Sequence, residues 1–484
     1  MKENAMKKFE KVKYNIAFKK ICLYIFYTTT IIYTASCKKF VEINPPSDQL
    51  TGANIYNDPG TAAGVLTSIY HQLSVGSFAA GGNSLSVDGG LSADELDLLN
   101  KNEDYSLRFY INKLSANTNP PRFWSEFYEF IFRANSAIKG LNASHSLNDK
   151  VKVQLLGEAK FIRALCYFYL VNLYGDVPLI LTTDPKETGN ISRTHKTVVY
   201  QQIIVDLLDA QRQLNENYLK ADALTQIEDE RARPNRATAT ALLARVYLYL
   251  NQSANAEKQS TVIIEDSRYI LLDSLNDVFL KNSKEAIWQL QPINSGNTPD
   301  GGYFIPTGDA PSVFLSNDLF QSFQSNDKRK FQWIGSITAN GNSYSYPFKY
   351  QIKISFDAPQ EYTMVFRLGE QYLIRAEARA ISGNLSGARD DLNKIRHRAG
   401  LGDTPAGTQT EILDAILNER RHELFSEWGN RWFDLKRTGK IDQVMSTVTP
   451  QKGGTWSPNW ALYPIPQTDI NRDPALAGHQ NPGY

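Results

Sequence analysis

Residues Phe161–Tyr174 read FIRALCYFYLVNLY, and Gly175 follows. The run is apolar at most positions, yet it contains Arg163 and Asn172 and is shorter than the about 20 residues that a bilayer span needs. It reads as a helix buried on most sides and stopped by a glycine. Extended back to Glu158, it is the first of seven segments with apolar residues at three-to-four spacing. The others are Val198–Leu214, Ala237–Leu250, Glu257–Glu265, Phe366–Ser382, Ser386–Arg398 and Glu411–Leu435. Gly383-Asn384, Gly400 and Gly439 supply further stop signals.

These segments hold a faint internal repeat. Phe161-Ile162-Arg163-Ala164 and Leu373-Ile374-Arg375-Ala376 share an Ile-Arg-Ala core, and Ala244 and Ala256, like Ala376 and Ala388, stand twelve apart. Two helices can cross closely only where the side chain at the crossing is small. Small residues at this spacing on consecutive antiparallel helices fit a degenerate tetratricopeptide pattern. The expected fold is mainly α, with tetratricopeptide-like repeat helices at about 123–270 and 363–440. A loop-rich, partly β region at about 281–362 would pack against them, and a proline-rich tail would occupy 441–484. Gly, Pro, Asn and Ser punctuate the loop-rich region, as in Asn297-Thr298-Pro299-Asp300-Gly301-Gly302.

The N-terminus differs from the rest. Residues 1–20 hold seven Lys against two Glu, residues 21–36 hold no charge, and Cys37 follows Thr34-Ala35-Ser36. A basic segment, a short apolar core and small residues before a cysteine predict a lipoprotein signal peptide over 1–36, with Cys37 as the lipidated residue. The whole chain of 484 residues has a formal charge of +1; without the leader it has 45 basic and 49 acidic residues. That balance gives no support to nucleic-acid binding. Of the three cysteines only Cys166 would remain unmodified, so no internal disulfide is available.

Four stretches resemble one known family. They are Cys37 with Phe40-Val41-Glu42-Ile43-Asn44-Pro45-Pro46, Leu165–Tyr174 with Gly175-Asp176-Val177-Pro178-Leu179, the run from Asn418 to Arg437, and the tail from Tyr463-Pro464-Ile465-Pro466 to Asn481-Pro482-Gly483-Tyr484. Together they resemble the SusD/RagB family of outer-membrane nutrient-binding lipoproteins. The resemblance implies a non-enzymatic, surface-exposed protein of the cell outer membrane, held there by a lipid anchor. It would bind oligosaccharides, or in some relatives peptides, and deliver them to a SusC-like TonB-dependent transporter. No cofactor or metal is implied.

The catalytic alternative is a surface glycoside hydrolase. Glu419, Glu423 and Glu427 lie four apart, with Arg420, Arg431, Asp434 and Arg437 interleaved. Paired carboxylates on one helix face suggest a glycosidase, but each Glu has an arginine within helical reach, so an ion-pair lattice that fixes helix register is expected. The six histidines are scattered without zinc-ligand spacing. Asp94, Glu95, Asp97, Glu103 and Asp104 lack the spacing of a calcium loop and are expected to form a solvated loop face.

Aromatic residues remain as the binding signal. Tyr303–Tyr350 holds eleven aromatics in 48 residues, and Tyr105–Phe132 holds nine in 28. A flat ring can stack on the C–H face of a sugar while Asp, Asn and Arg meet its hydroxyl edge. In the resembling family the glycan site lies off the helical repeats, on loops that share no motif. Tyr303, Trp333, Tyr344, Tyr105 and Asp94 are therefore positional expectations.

Overall fold

The computed structural model describes residues 55–484 apart from 80, 293–296 and 356, together with Lys13, Tyr14, Lys19 and Lys20. The signal segment 1–36, Cys37 and the stretch 40–46 lie outside the described residues. Two units are distinguished, Met1–Gly52 and Ala53–Tyr484. In the first, the four described residues are helical and exposed. The second carries the repeat helices and the strands.

Its main helices are α1 (Pro59–Val75), α2 (Leu85–Ser92), α3 (Asp104–Tyr110), α4 (Phe123–Ala143), α5 (Asp149–Tyr174), α6 (Lys196–Gln213), α7 (Arg236–Tyr249), α8 (Ser253–Ile264), α9 (Leu368–Ile381), α10 (Leu385–Arg398), α11 (Gln409–Glu423), α12 (Asn430–Arg437), α13 (Ile441–Gln451) and α14 (Gln467–Arg472). From α4 to α10 each helix packs on the next in chain order. That is the stacking of a helical repeat. Ala244 and Ala256, and Ala376 and Ala388, are fully buried on the packed pairs α7–α8 and α9–α10. No helix among the described residues is long and apolar enough to cross a membrane.

The deciding helix, α5, starts earlier than its apolar run. Asn148 caps it by accepting from the Lys150 N–H, and Gly175 ends it with φ 76°. Cys166 lies buried within it. The last residues of the chain close its C-terminal end. The Tyr463 N–H donates to Leu173 O at 2.8 Å, and Asn481 Nδ2 donates to Tyr174 O at 2.9 Å and Tyr463 O at 2.7 Å.

Eight short strands form four antiparallel pairs among the described residues: β1 (Leu96–Leu98) with β5 (Val313–Leu315), β2 (Tyr218–Leu219) with β3 (Gln226–Ile227), β4 (Ala286–Leu290) with β8 (Thr363–Arg367), and β6 (Ile334–Ala339) with β7 (Asn342–Pro347). The hairpin β6–β7 turns through Asn340 and Gly341, both with positive φ, the pairing that two-residue hairpins favour.

Two expectations are corrected. Glu411–Leu435 is not one helix: the chain leaves α11 after Glu423 and re-enters a helix at Asn430, with Ser426, Trp428 and Gly429 at φ 54°, 54° and 67°. Left-handed backbone cannot continue a right-handed helix. The break also serves packing. Gly429 crosses α2 at Gly89, where an added Cβ would stand 2.6 Å from the Gly429 Cα. Only part of the acidic cluster is a solvated face: Glu103 and Asp104 are exposed, whereas Asp94 and Glu95 are buried and Asp97 lies half-buried in the paired strand Leu96–Leu98.

Candidate functional site

The ion-pair lattice lies inside the protein, and the partners of its three glutamates come from distant elements rather than neighbouring helix turns. Glu423 meets Arg329, Arg367 and Arg398; Glu427 meets Arg367 and Lys349; Glu419 meets Arg329 and Arg396. Arg420 and Arg437 both bond Asp434, and Arg431 holds Asp94. Burial pushes the Glu423 carboxyl up, but the charges of Arg398, Arg367 and Arg329 outweigh it and hold the group well below the usual range. A carboxylate so neutralised is a poor general acid or base.

Trp333 belongs to this interior. It is fully buried, its Nε1 donates to Leu275 O at 3.0 Å, and Lys349, Arg367 and Arg398 stand 4.9, 5.7 and 5.8 Å from its ring. A ring enclosed in this way offers no face to a sugar, so the expectation for Trp333 is corrected. Asp94 is corrected likewise. Arg431 grips both its oxygens at 2.8 Å, and Arg421 adds a second cation. Burial raises the Asp94 carboxyl, but these guanidinium contacts prevail and lower it to about 2. Asp94 lines a cleft of ≈ 900 Å³ with Asp318, Asp414, Arg421, Lys440 and Lys452. Those side chains bond one another or, for Lys452, the carbonyls of Leu91 and Ala93.

Tyr105 and Tyr303 both neighbour Asp88. Ser84 caps α2 and places Asp88 on its first turn, and from α3 the Tyr105 hydroxyl donates to Asp88 Oδ2 at 3.1 Å. Tyr303 arrives on the short helix Pro299–Phe304, capped by Thr298. Its ring lies against the turn Gly81–Asn83, so that a Cβ on Gly82 would meet a ring carbon at 2.6 Å. Burial, then the nearby charges of Asp88 and Glu103, push the Tyr303 phenol up to about 12. Burial raises Asp88 well above the carboxylate range. The result is two half-buried phenols on separate elements, one oriented by a buried carboxyl. They can stack and hydrogen-bond; they are not activated nucleophiles. Tyr344 does not join them. It is half-buried on β7, edge-on to Phe314 at 5.1 Å.

The sequence reading missed Asp88 and the lattice members Arg329, Lys349, Arg367 and Arg398. Asp88 sits in a helix buried along its length and follows no polar periodicity. Among the described residues no group of three His, Cys, Asp or Glu is placed to hold a metal ion.

The chain is similar to known proteins at both ends. Residues 334–484 match a family model described as the SusD family, and residues 39–248 match one described as starch-binding associating with outer membrane. The SusD-like protein P25 of Formosa agariphila is 25% identical, over 96% of this chain and 100% of its own length. A solved laminarin-binding SusD-like protein superposes with a TM-score of 0.74 at 24% identity, covering 87% of this chain and 99% of its own. Surface glycan-binding protein A from Bacteroides fluxus gives a TM-score of 0.73 at 22% identity, covering 88% and 99%. At these identities the solved structures speak for the fold.

Proposed function

The chain belongs to the SusD family, and on that premise we propose that it captures oligosaccharides at the outer membrane without chemically changing them. The match of residues 39–248 to a family described as starch-binding and outer-membrane-associating carries this reading. Tyr303 and Tyr105 are the proposed contact residues, with Asp88 positioning the Tyr105 ring. The buried, arginine-neutralised Glu419 and Glu423 argue against hydrolysis by the motif that first suggested it. Cys37 is the proposed lipid attachment point after removal of residues 1–36. A SusC-like TonB-dependent transporter is the proposed acceptor of the cargo.

Calorimetric titration of residues 38–484 with maltoheptaose and laminarihexaose tests the binding. Saturable binding weakened by Tyr303→Ala, with no release of shorter sugars, is expected. Absence of binding to either glucan, alongside binding to a peptide library, would replace the sugar with a peptide cargo. Co-purification from outer membranes tests the transporter, and recovery of the protein alone would remove that partner.

A further inference from the structure

Trp124, Tyr128 and Phe132 follow one another at four-residue intervals along α4, so their rings form one ridge. The ridge spans about 12 Å at 1.5 Å per residue. Exposure rises along it, from Trp124 at 4% to Phe132 at 56%. The first two rings stand 5.0 Å apart, and the Tyr128 hydroxyl donates to Pro178 O at 2.8 Å, which fixes its plane. The ridge borders a groove of ≈ 510 Å³, within the size range of small-molecule sites. Pro178 and Ile180 line it from beyond the end of α5, and Asp469, Arg472 and Asp473 line it from α14 and the turn after it.

The polar groups of this groove differ from those of the larger cleft. There, the charged side chains are engaged with one another or with carbonyls. Here, among the described residues, the Arg472 side chain makes no direct ion pair or hydrogen bond, and Asp469 hydrogen-bonds its neighbour Thr468 while the Arg472 charge acts on it. Asp469 lies close enough to Tyr128 to act on its phenol. An acceptor and a donor fork, near each other but not bonded, therefore stand beside the exposed Phe132 ring and the half-buried Tyr128. That combination suits an alternating C–H face and hydroxyl edge.

We propose that this groove is a second saccharide-binding site, separate in its elements from the Tyr105–Tyr303 group. The Phe132 ring stacks on a sugar, and Asp469 and Arg472 bond its hydroxyls. The proposal rests on the saccharide-binding reading above.

Calorimetric stoichiometry with maltoheptaose and laminarihexaose tests it, comparing the wild-type chain, Phe132→Ala/Asp469→Asn and Tyr303→Ala. Two sites per chain are expected for one of the glucans. The groove variant should weaken one of them at least about tenfold and leave the other, with an unchanged melting temperature. A single site lost only in the groove variant also supports the groove. A single site lost only in Tyr303→Ala overturns the groove and leaves the first reading standing. No binding of either glucan by the wild type overturns both.

Discussion

Arg367 donates Nε and Nη2 to the two carboxylate oxygens of Glu427, each at 2.9 Å, and both side chains are buried. Two parallel charge-assisted bonds fix position as well as energy. Arg367 ends β8 just before α9, and Glu427 lies in the break between α11 and α12, so the pair ties the strand pair to the broken helix. Removing Glu427 leaves Arg367 its other carboxylates, Glu423 and Glu285, but strips the buried Lys349 of its ion-pair partner. Glu427→Ala is expected to lower unfolding free energy by about 3–5 kcal/mol in urea titration. A loss below about 1 kcal/mol, the range of exposed pairs, would mean the pair is hydrated.

Glu95 gives the opposite sign. Its Oε1 has no partner, and burial followed by the Asp94 charge pushes its carboxyl from 4.5 up to about 8. A group raised in the folded state favours folding fully below its unfolded value, and the benefit is lost as pH rises through the folded one. Stability should therefore decline between pH 4.5 and 8 through this residue. Glu95→Gln should flatten that decline and gain more than about 1.4 kcal/mol at pH 8, the worth of one pKa unit. Thermal melts at pH 5 and pH 8 measure it; equal shifts at both would refute the assignment.

Trp333 and Tyr303 should separate stability from binding. Trp333→Ala opens a cavity in a buried ring site and is expected to cost about 3–5 kcal/mol. Tyr303→Ala, at a half-buried position, should leave a much smaller deficit while weakening glucan binding. A chain unchanged in stability by Trp333→Ala would contradict the enclosed placement of that ring.

At the Gly89–Gly429 crossing, Gly89→Ala puts a methyl group 2.6 Å from backbone that cannot rotate away. A loss of about 1–3 kcal/mol is expected. Gly64→Ala, on a helix position with nothing within 4 Å, should instead be neutral or stabilising.

The sequence made the repeat legible because its signals are local. Gly175 and Gly383 stop helices by their own backbone, and Ala244 and Ala256 mark a crossing by their own size. The lattice was legible on one side only. The Glu423 motif announces an ion-pair lattice, but Arg329, Arg367 and Arg398 lie 94, 56 and 25 residues away, and only the fold brings them in. The break at Ser426 and Trp428 was hidden for another reason. Residues with side chains seldom adopt positive φ, so nothing in their identity marks the turn. Aromatic density misled at Trp333 because a ring packs a core as readily as it stacks on a sugar. At Tyr303 it marked a half-buried ring that packs on the glycine turn.

The seal at the end of α5 bears on the order in which the molecule assembles. Asn481 holds the carbonyl of Tyr174 across 307 residues of chain. Closing so long a loop costs entropy that only late contacts repay. A chain emerging from its N-terminus can stack its first helices early, and Arg193 reaches the Tyr174 carbonyl at 3.1 Å, yet the Tyr463 and Asn481 bonds to the end of α5 form only after those residues have been made. A nascent molecule thus holds the Tyr174 carbonyl by Arg193 alone until then, and Asn481→Ala should leave a protein that stacks its helices but seals this end less firmly.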